Sequence, residues 1–189
     1  TVRCCTQNGI RGGSATVHFP IWHKEIRDII VLKNNKGTED NRVRKLDYSI
    51  QLSKLFYERF ITNQKITLFS PHDVPGLYDS FGTESFDELY TRYESDESIP
   101  KTSIDAQELI LDILKERAET GRLYLMNMDH CNTHSSFLDK VNMSNLCQEI
   151  TLPTKPLKHI DDPDGEIALC ILSAINVGKI NRLDELEDL

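Results

Sequence analysis

The 189 residues contain no apolar run near the roughly 18 that a membrane-spanning helix needs. Basic charge is also short: 22 Lys and Arg stand against 30 Asp and Glu, a formal charge of −8. That balance argues against a nucleic-acid-binding surface as the main business. The first residues, TVRCCTQNGIRGG, have neither the apolar centre of a secretory signal nor an initiating Met. The 5 Cys are odd in number, and with no secretory signal they point to a reducing, cytoplasmic setting with free or reactive thiols. No Gly-Lys-Ser/Thr follows the opening glycines, so a Walker A loop is excluded, and their spacing is wrong for a dinucleotide fingerprint. Internal repeats, low-complexity stretches and a flexible interdomain linker are lacking too. What remains is a globular chain of about one to one and a half domains, with 39% hydrophobic and 28% charged residues.

Periodicity sketches the elements. Ile21, Trp22, Ile26, Ile29 and Ile30 predict an amphipathic helix over 21–33, and 34–41 is a polar loop. Val43, Leu46, Ile50, Leu55, Phe56 and Phe60 predict a second helix over about 42–62. Lys65 to Phe69 is strand-like and is closed by the breakers Ser70-Pro71 and Val74-Pro75-Gly76. Phe86, Leu89, Tyr90 and Tyr93 mark a shorter helix. The helical pattern is clearest over 102–120, with Thr102 and Asp105 resembling a capping box and Gly121 at the stop. Its apolar face is Ile104, Leu109, Ile110, Ile113, Leu114 and Ala118. RLYLMNM at 122–128 reads as a strand, and 145–152 and 166–172 are strand-like. Helices alternating with short apolar strands predict α/β construction. The chain opens in a glycine-rich segment and closes in a helical pattern, INRLDELEDL, without a Gly or Pro stop. That combination suggests an internal piece of a longer protein.

Several constellations carry chemistry. Gly9, Gly12 and Gly13 permit positive φ and close backbone approach to a ligand, with Gln7 and Arg11 as hydrogen-bonding side chains. On composition alone an ordinary mobile loop is the better reading of them. His130, Cys131 and His134 have ligand types suited to zinc, yet a structural site needs four ligands and no second pair lies nearby. Polar residues holding a turn are the simpler explanation, and no metal is expected in this chain. Asn145, Cys147 and Glu149 would share one face of an extended strand, about 6–7 Å apart in succession. An amide, a thiol and a carboxylate at that spacing make a plausible reaction centre, although spacing alone favours a half-buried strand with a packed Cys. Cys170, in an apolar run, is either a core residue or half of a redox dithiol.

The segment Asn145-Leu146-Cys147-Gln148-Glu149-Ile150-Thr151-Leu152-Pro153-Thr154 resembles the active-site finger loop of ribonucleotide reductase large subunits. Collinear matches run the length of the chain: RGGSAT at 11–16, PIWHKEI at 20–26, LKNNKG at 32–37, FSPHDVPGLYDSF at 69–81, DHCNTHS at 129–135 and GEIALCILSAIN at 165–176. The wording is closest to the class I, bacterial and phage type of catalytic subunit. The resemblance implies that 1–189 is part of that family's ten-stranded α/β barrel. The N-terminal ATP cone and the C-terminal redox tail would belong to other parts of the subunit.

The resemblance also implies roles. Cys147 would become a thiyl radical that removes hydrogen from the ribose C3′. Glu149 would take the 3′-hydroxyl proton and so help expel the 2′-hydroxyl, and Asn145 would bind the ribose. Cys170 would be one of the two thiols that end as a disulfide, its partner lying elsewhere. Gln7 to Gly13 would form the loop reporting the bound effector, with Gln7 and Arg11 sensing the base; Asn8 stands where a small residue such as Gly is usual. Implied partners are a small subunit supplying a metal-centred radical, a second large subunit, thioredoxin or glutaredoxin, a ribonucleoside diphosphate, and ATP and deoxynucleotide effectors. Three other readings compete: an adenosylcobalamin-dependent reductase, a non-catalytic split or truncated fragment, and a small zinc module built on His130, Cys131 and His134.

Overall fold

A computed structural model describes residues 2–6, 8–168, 170, 172–180 and 182. The chain divides into one unit over 1–154 and a second over 155–189. In the first unit, strands β1 (Thr16–Pro20), β2 (Asp47–Leu52) and β5 (Tyr124–Asn127) form a parallel sheet with β2 in the centre. Phe19 pairs with Ile50, and Ile50 with Leu125. Parallel neighbours need crossovers, and helices supply them: α1 (Ile26–Ile30) lies between β1 and β2. Between β2 and β5 come α2 (Lys54–Ile61), β3 (Lys65–Phe69), α3 (Leu77–Ser80), α4 (Phe86–Ser95), β4 (Lys101–Asp105) and α5 (Ala106–Thr120). Strands β3 and β4 pair antiparallel as a separate sheet, and α6 (Met128–Thr133) follows β5 directly. This is the α/β construction that the sequence predicts. Among the described residues no helix is long and apolar enough to cross a membrane.

Three predicted helices are shorter than their periodicity suggests, and two of them are strands in part. The helix over 42–62 is divided: Asp47–Leu52 is β2, and only Lys54–Ile61 is helical. Tyr48, Ile50 and Leu52 alternate with Ser49 and Gln51, a period of two that a helical reading overlooks. All five are buried, because a central parallel strand is covered on both faces. The helix over 21–33 contracts to Ile26–Ile30. The Ile21 N–H donates to the Gln51 carbonyl and the Trp22 carbonyl accepts from Phe69 N–H, so their backbone groups serve the two sheets. The helix over 102–120 starts at Ala106, because Lys101–Asp105 pairs with β3. Asp105 is the true N-cap, its carboxylate accepting from the Gln107 and Glu108 N–H groups at 2.8 and 3.2 Å. Gly121 ends the helix in the left-handed region at φ 64°, as predicted. Leu109 and Ile113 face the core, whereas Leu114 and Ala118 face outward.

The core joins the two sheets through aromatic rings. Trp22 meets Phe81 edge-on at 6.0 Å between centroids, Phe81 meets Phe86 at 4.7 Å, Phe86 meets Tyr90 at 5.6 Å, and Tyr90 meets Phe69 at 5.5 Å. Tyr90 is buried yet fully bonded: its hydroxyl donates to the Thr67 carbonyl and accepts from the Thr67 N–H, both at 2.7 Å. Arg59 lies over the Tyr90 ring at 5.0 Å and grips Glu94 through two bonds of 2.6 and 2.5 Å. Burial pushes the Glu94 carboxyl up, but the bonds from Arg59 and Thr67 outweigh it and hold the group below its ordinary range.

The second unit is described by itself. Lys155 and Glu166 form a single antiparallel bridge, reinforced by their side chains at 2.8 Å. Asp162 closes the intervening turn by accepting from the Lys158 and Asp164 N–H groups. Of the strand predicted over 166–172, the described residues show only that bridge at Glu166. Most of the helix predicted over 180–189 lies outside the described residues.

Removing the Glu94 carboxylate strands a buried guanidinium, a change that costs about 3 kcal/mol in such settings. Glu94→Ala is therefore expected to lower the opening free energy of the β3 amides by roughly that amount. Hydrogen exchange read at Lys65–Phe69 checks it.

Candidate functional site

The parallel sheet has one apolar and one polar face. His18 pairs with Ser49 and Pro20 with Gln51, so Thr16, His18, Ser49 and Gln51 share a face by alternation. Across that face runs the segment after α6, and the strand side chains hold its carbonyls in order. Gln51 Nε2 donates to Asn142 O at 2.5 Å, His18 Nε2 to Ser144 O at 3.1 Å, and Thr16 Oγ1 to Leu146 O at 2.6 Å. Alternate carbonyls of one extended stretch thus meet donors stepping from β2 to β1.

The base of the segment is held by the DHCNTHS motif. The Asn132 amide pairs with Val141 as a strand would: its Nδ2 donates to Val141 O at 3.1 Å and its Oδ1 accepts from Val141 N–H at 2.8 Å. Gly82, at φ +84°, lies so close that a Cβ there would stand 2.9 Å from Asn132 Nδ2. Asp129 accepts from the Lys54 N–H at the start of α2 at 2.6 Å. The motif's polarity is therefore structural. His130 and His134 are exposed with rings edge-on at 5.5 Å, and burial pushes the Cys131 thiol up. Among the described residues no three of His, Cys, Asp or Glu gather as a metal's ligands.

After Leu146 the chain turns, and the predicted strand over 145–152 does not form. Gln148 N–H donates to Asn145 O at 3.2 Å, and Gln148 is left-handed at φ +64°. The strict alternation expected of Asn145, Cys147 and Glu149 is thereby broken. Asn145 Oδ1 accepts from Ile150 N–H at 3.1 Å, and Ser144 Oγ donates to Ile150 O at 2.5 Å, so the loop is closed by its own side chains. Asn145 is half-buried, whereas Cys147 and Glu149 are exposed. The structure thus brings the three residues into one pinned turn by side-chain bonds instead of by strand pleating. Gln148 Oε1 accepts from Ser49 Oγ at 2.6 Å and its Nε2 donates to Leu125 O at 2.7 Å.

In the opening loop Gly9 takes the predicted positive φ, whereas Gly12 and Gly13 do not. Asn8 and Gly9 have φ of 51° and 73°, and Arg11 and Gly12 are exposed. Gly13 is irreplaceable on steric grounds: a Cβ would stand 2.3 Å from Cys5 O and 2.5 Å from Val2 O. Gln7 lies outside the described residues. Cys170 is an exposed free thiol of the second unit. Sequence reasoning missed Thr16, His18, Ser49, Gln51 and Asn132. The polar alternation in Tyr48-Ser49-Ile50-Gln51-Leu52 was the available signal, concealed by the helical interpretation of that segment.

His18 is the histidine of the polar face. Burial holds its pKa below the ordinary 6.5, and the bond to Ser144 O offsets this only in part. Its Nδ1 is buried without a partner, so a proton there would have no acceptor. Below pH 6.5 the undocked state binds more protons than the docked one, and docking weakens as pH falls through that window. Amide protection over 144–150, corrected for intrinsic exchange, is expected to fall between pH 7.5 and 5.5 and to stay level in His18→Gln.

Residues 1–189 match the family described as "Ribonucleotide reductase, barrel domain". The chain is 57% identical over 188 residues to the ribonucleoside-diphosphate reductase subunit alpha of Haemophilus influenzae, covering 97% of this chain and 25% of that one. It is 56% identical over 161 residues to the ribonucleoside-diphosphate reductase 1 subunit alpha of Escherichia coli, covering 82% and 21%. The subunit alpha of phage T4 is 44% identical over 200 residues, covering 98% and 26%. The chain spans about a quarter of the length of the curated relatives that it matches.

Proposed function

The chain belongs to the ribonucleotide reductase barrel-domain family, and from that premise we propose that it is part of the catalytic barrel of a class I ribonucleoside-diphosphate reductase large subunit. The observation that carries the proposal is the loop at Asn145–Glu149, pinned by its backbone to the polar face of a parallel sheet with the Cys147 thiol exposed at its turn. The outer edges of β1 and β5 have no strand partner among the described residues, which suits a sheet continuing into a ten-stranded barrel around this finger loop.

In that barrel Cys147, as a thiyl radical, takes a hydrogen atom from the ribose C3′, forming S–H and leaving a carbon radical. Glu149 accepts the 3′-hydroxyl proton, and the 2′-hydroxyl leaves as water after taking a proton from one of the two reducing thiols. Asn145 Oδ1 is engaged within the loop, which leaves its Nδ2 to donate to the ribose. Cys170 and a second thiol provide two electrons and two hydrogens, one to the departing water and one to C2′, and become a disulfide; Glu149 returns its proton to the 3′-oxygen and Cys147 its hydrogen to C3′, so the radical is conserved. Gly9, Arg11, Gly12, Gly13 and Gln7 read the effector, ATP or a deoxynucleotide. The metal-centred radical comes from a small subunit, so this chain holds no metal. A second large subunit and thioredoxin or glutaredoxin complete a cytoplasmic assembly.

Cys147→Ser in the full-length subunit is expected to abolish reduction of ribonucleoside diphosphates while nucleotide binding persists. Turnover by that variant would sink the assignment. Activity that required adenosylcobalamin and no small subunit would move the chain to the rival reductase class.

A further inference from the structure

Between the thiol and the carboxylate stands Gln148, to which the family resemblance gives no role. Its left-handed backbone carries a strain that surrounding bonds must offset. The side chain does so at both ends: Oε1 accepts from Ser49 at 2.6 Å, and Nε2 donates to the Leu125 carbonyl at 2.7 Å. Ser49 is fully buried at the centre of β2, where its hydroxyl needs an acceptor. Leu125 belongs to β5, the next strand. One amide therefore spans two adjacent strands, using its acceptor on one and its donor on the other. A carboxylate of the same length has no donor for Leu125, and an aliphatic chain has neither group.

We propose that Ser49 and Gln148 form a clamp that positions the Cys147 thiol; the inference rests on Cys147 being the reacting sulfur. On the other side of Cys147, Thr16 holds the Leu146 carbonyl to β1 at 2.6 Å. Both neighbours of the thiol are thus tied to the sheet, while the thiol itself stays exposed. Neither Ser49 nor Gln148 enters the proposed chemistry, so both are positioning residues. Hydrogen transfer demands close approach, and a misplacement of about 1 Å can cost on the order of 10²-fold in rate.

The test uses the full-length large subunit with its small subunit and reductant. Ser49→Ala and Gln148→Met are each expected to lower kcat about tenfold or more with KM for the ribonucleotide unchanged. The double variant should be no slower than Gln148→Met alone, because both changes open the same clamp. A second reading needs no turnover: alkylation of Cys147 by iodoacetamide, followed on its own peptide by mass spectrometry, should quicken several-fold on about the same principle of a loosened loop. Ser49→Ala deletes a single oxygen and serves if Gln148→Met does not fold. Wild-type kcat together with wild-type alkylation of Cys147 overturns the clamp, as does a loss confined to KM. If Cys147→Ser retains activity, the sulfur is misassigned, and the alkylation rates still report whether Ser49 and Gln148 hold the loop.

Discussion

Carbonyls that cross the face of a sheet must find donors, because a buried peptide oxygen left unpaired is costly. The stretch from Asn142 to Leu146 meets that constraint with no strand pairing of its own. Gln51, His18 and Thr16 supply the donors, and Asn132 supplies the pairing at Val141. The composition of the strands follows from this demand. A central parallel strand is ordinarily apolar on both faces. Here β2 carries Ser49 and Gln51 on one face because a loop has to dock there, and Tyr48, Ile50 and Leu52 on the other because the core lies there.

The rest of the first unit gives that sheet a rigid backing. The chain of rings from Trp22 to Phe69 spans the distance between the two sheets, and the Arg59–Glu94 pair locks α2 to α4 beside Tyr90. In its proposed role the Cys147 thiol gains from such support, since loop motion is limited by the elements to which the loop is tied. Rigid strands and a docked turn divide the work: the scaffold sets position, and the exposed tip keeps Cys147 and Glu149 accessible.

Much of this was legible in the residues. Strand β3, helix α4, the Gly121 stop and the α/β class follow from local periodicity and end signals. The segments 42–62 and 102–120 were misread in part because apolar residues at short spacing satisfy both helical and strand periods over a few residues. Pairing of Asp47–Leu52 with two strands, and of Lys101–Asp105 with β3, resolved the ambiguity through contacts remote in sequence. Asn145, Cys147 and Glu149 were singled out as a candidate site from residue types and resemblance, but strand alternation was the wrong geometry for them.

The sequence by itself determined which chemical groups the loop carries and which family the chain resembles, because those are properties of residue identity and order. Only the tertiary structure decided how the groups are held. Gln148 reaches Ser49, 99 positions away, and Thr16 reaches Leu146, 130 positions away. Such bonds leave no periodic trace in a sequence: each depends on a distance between strands that arises only when the sheet has formed.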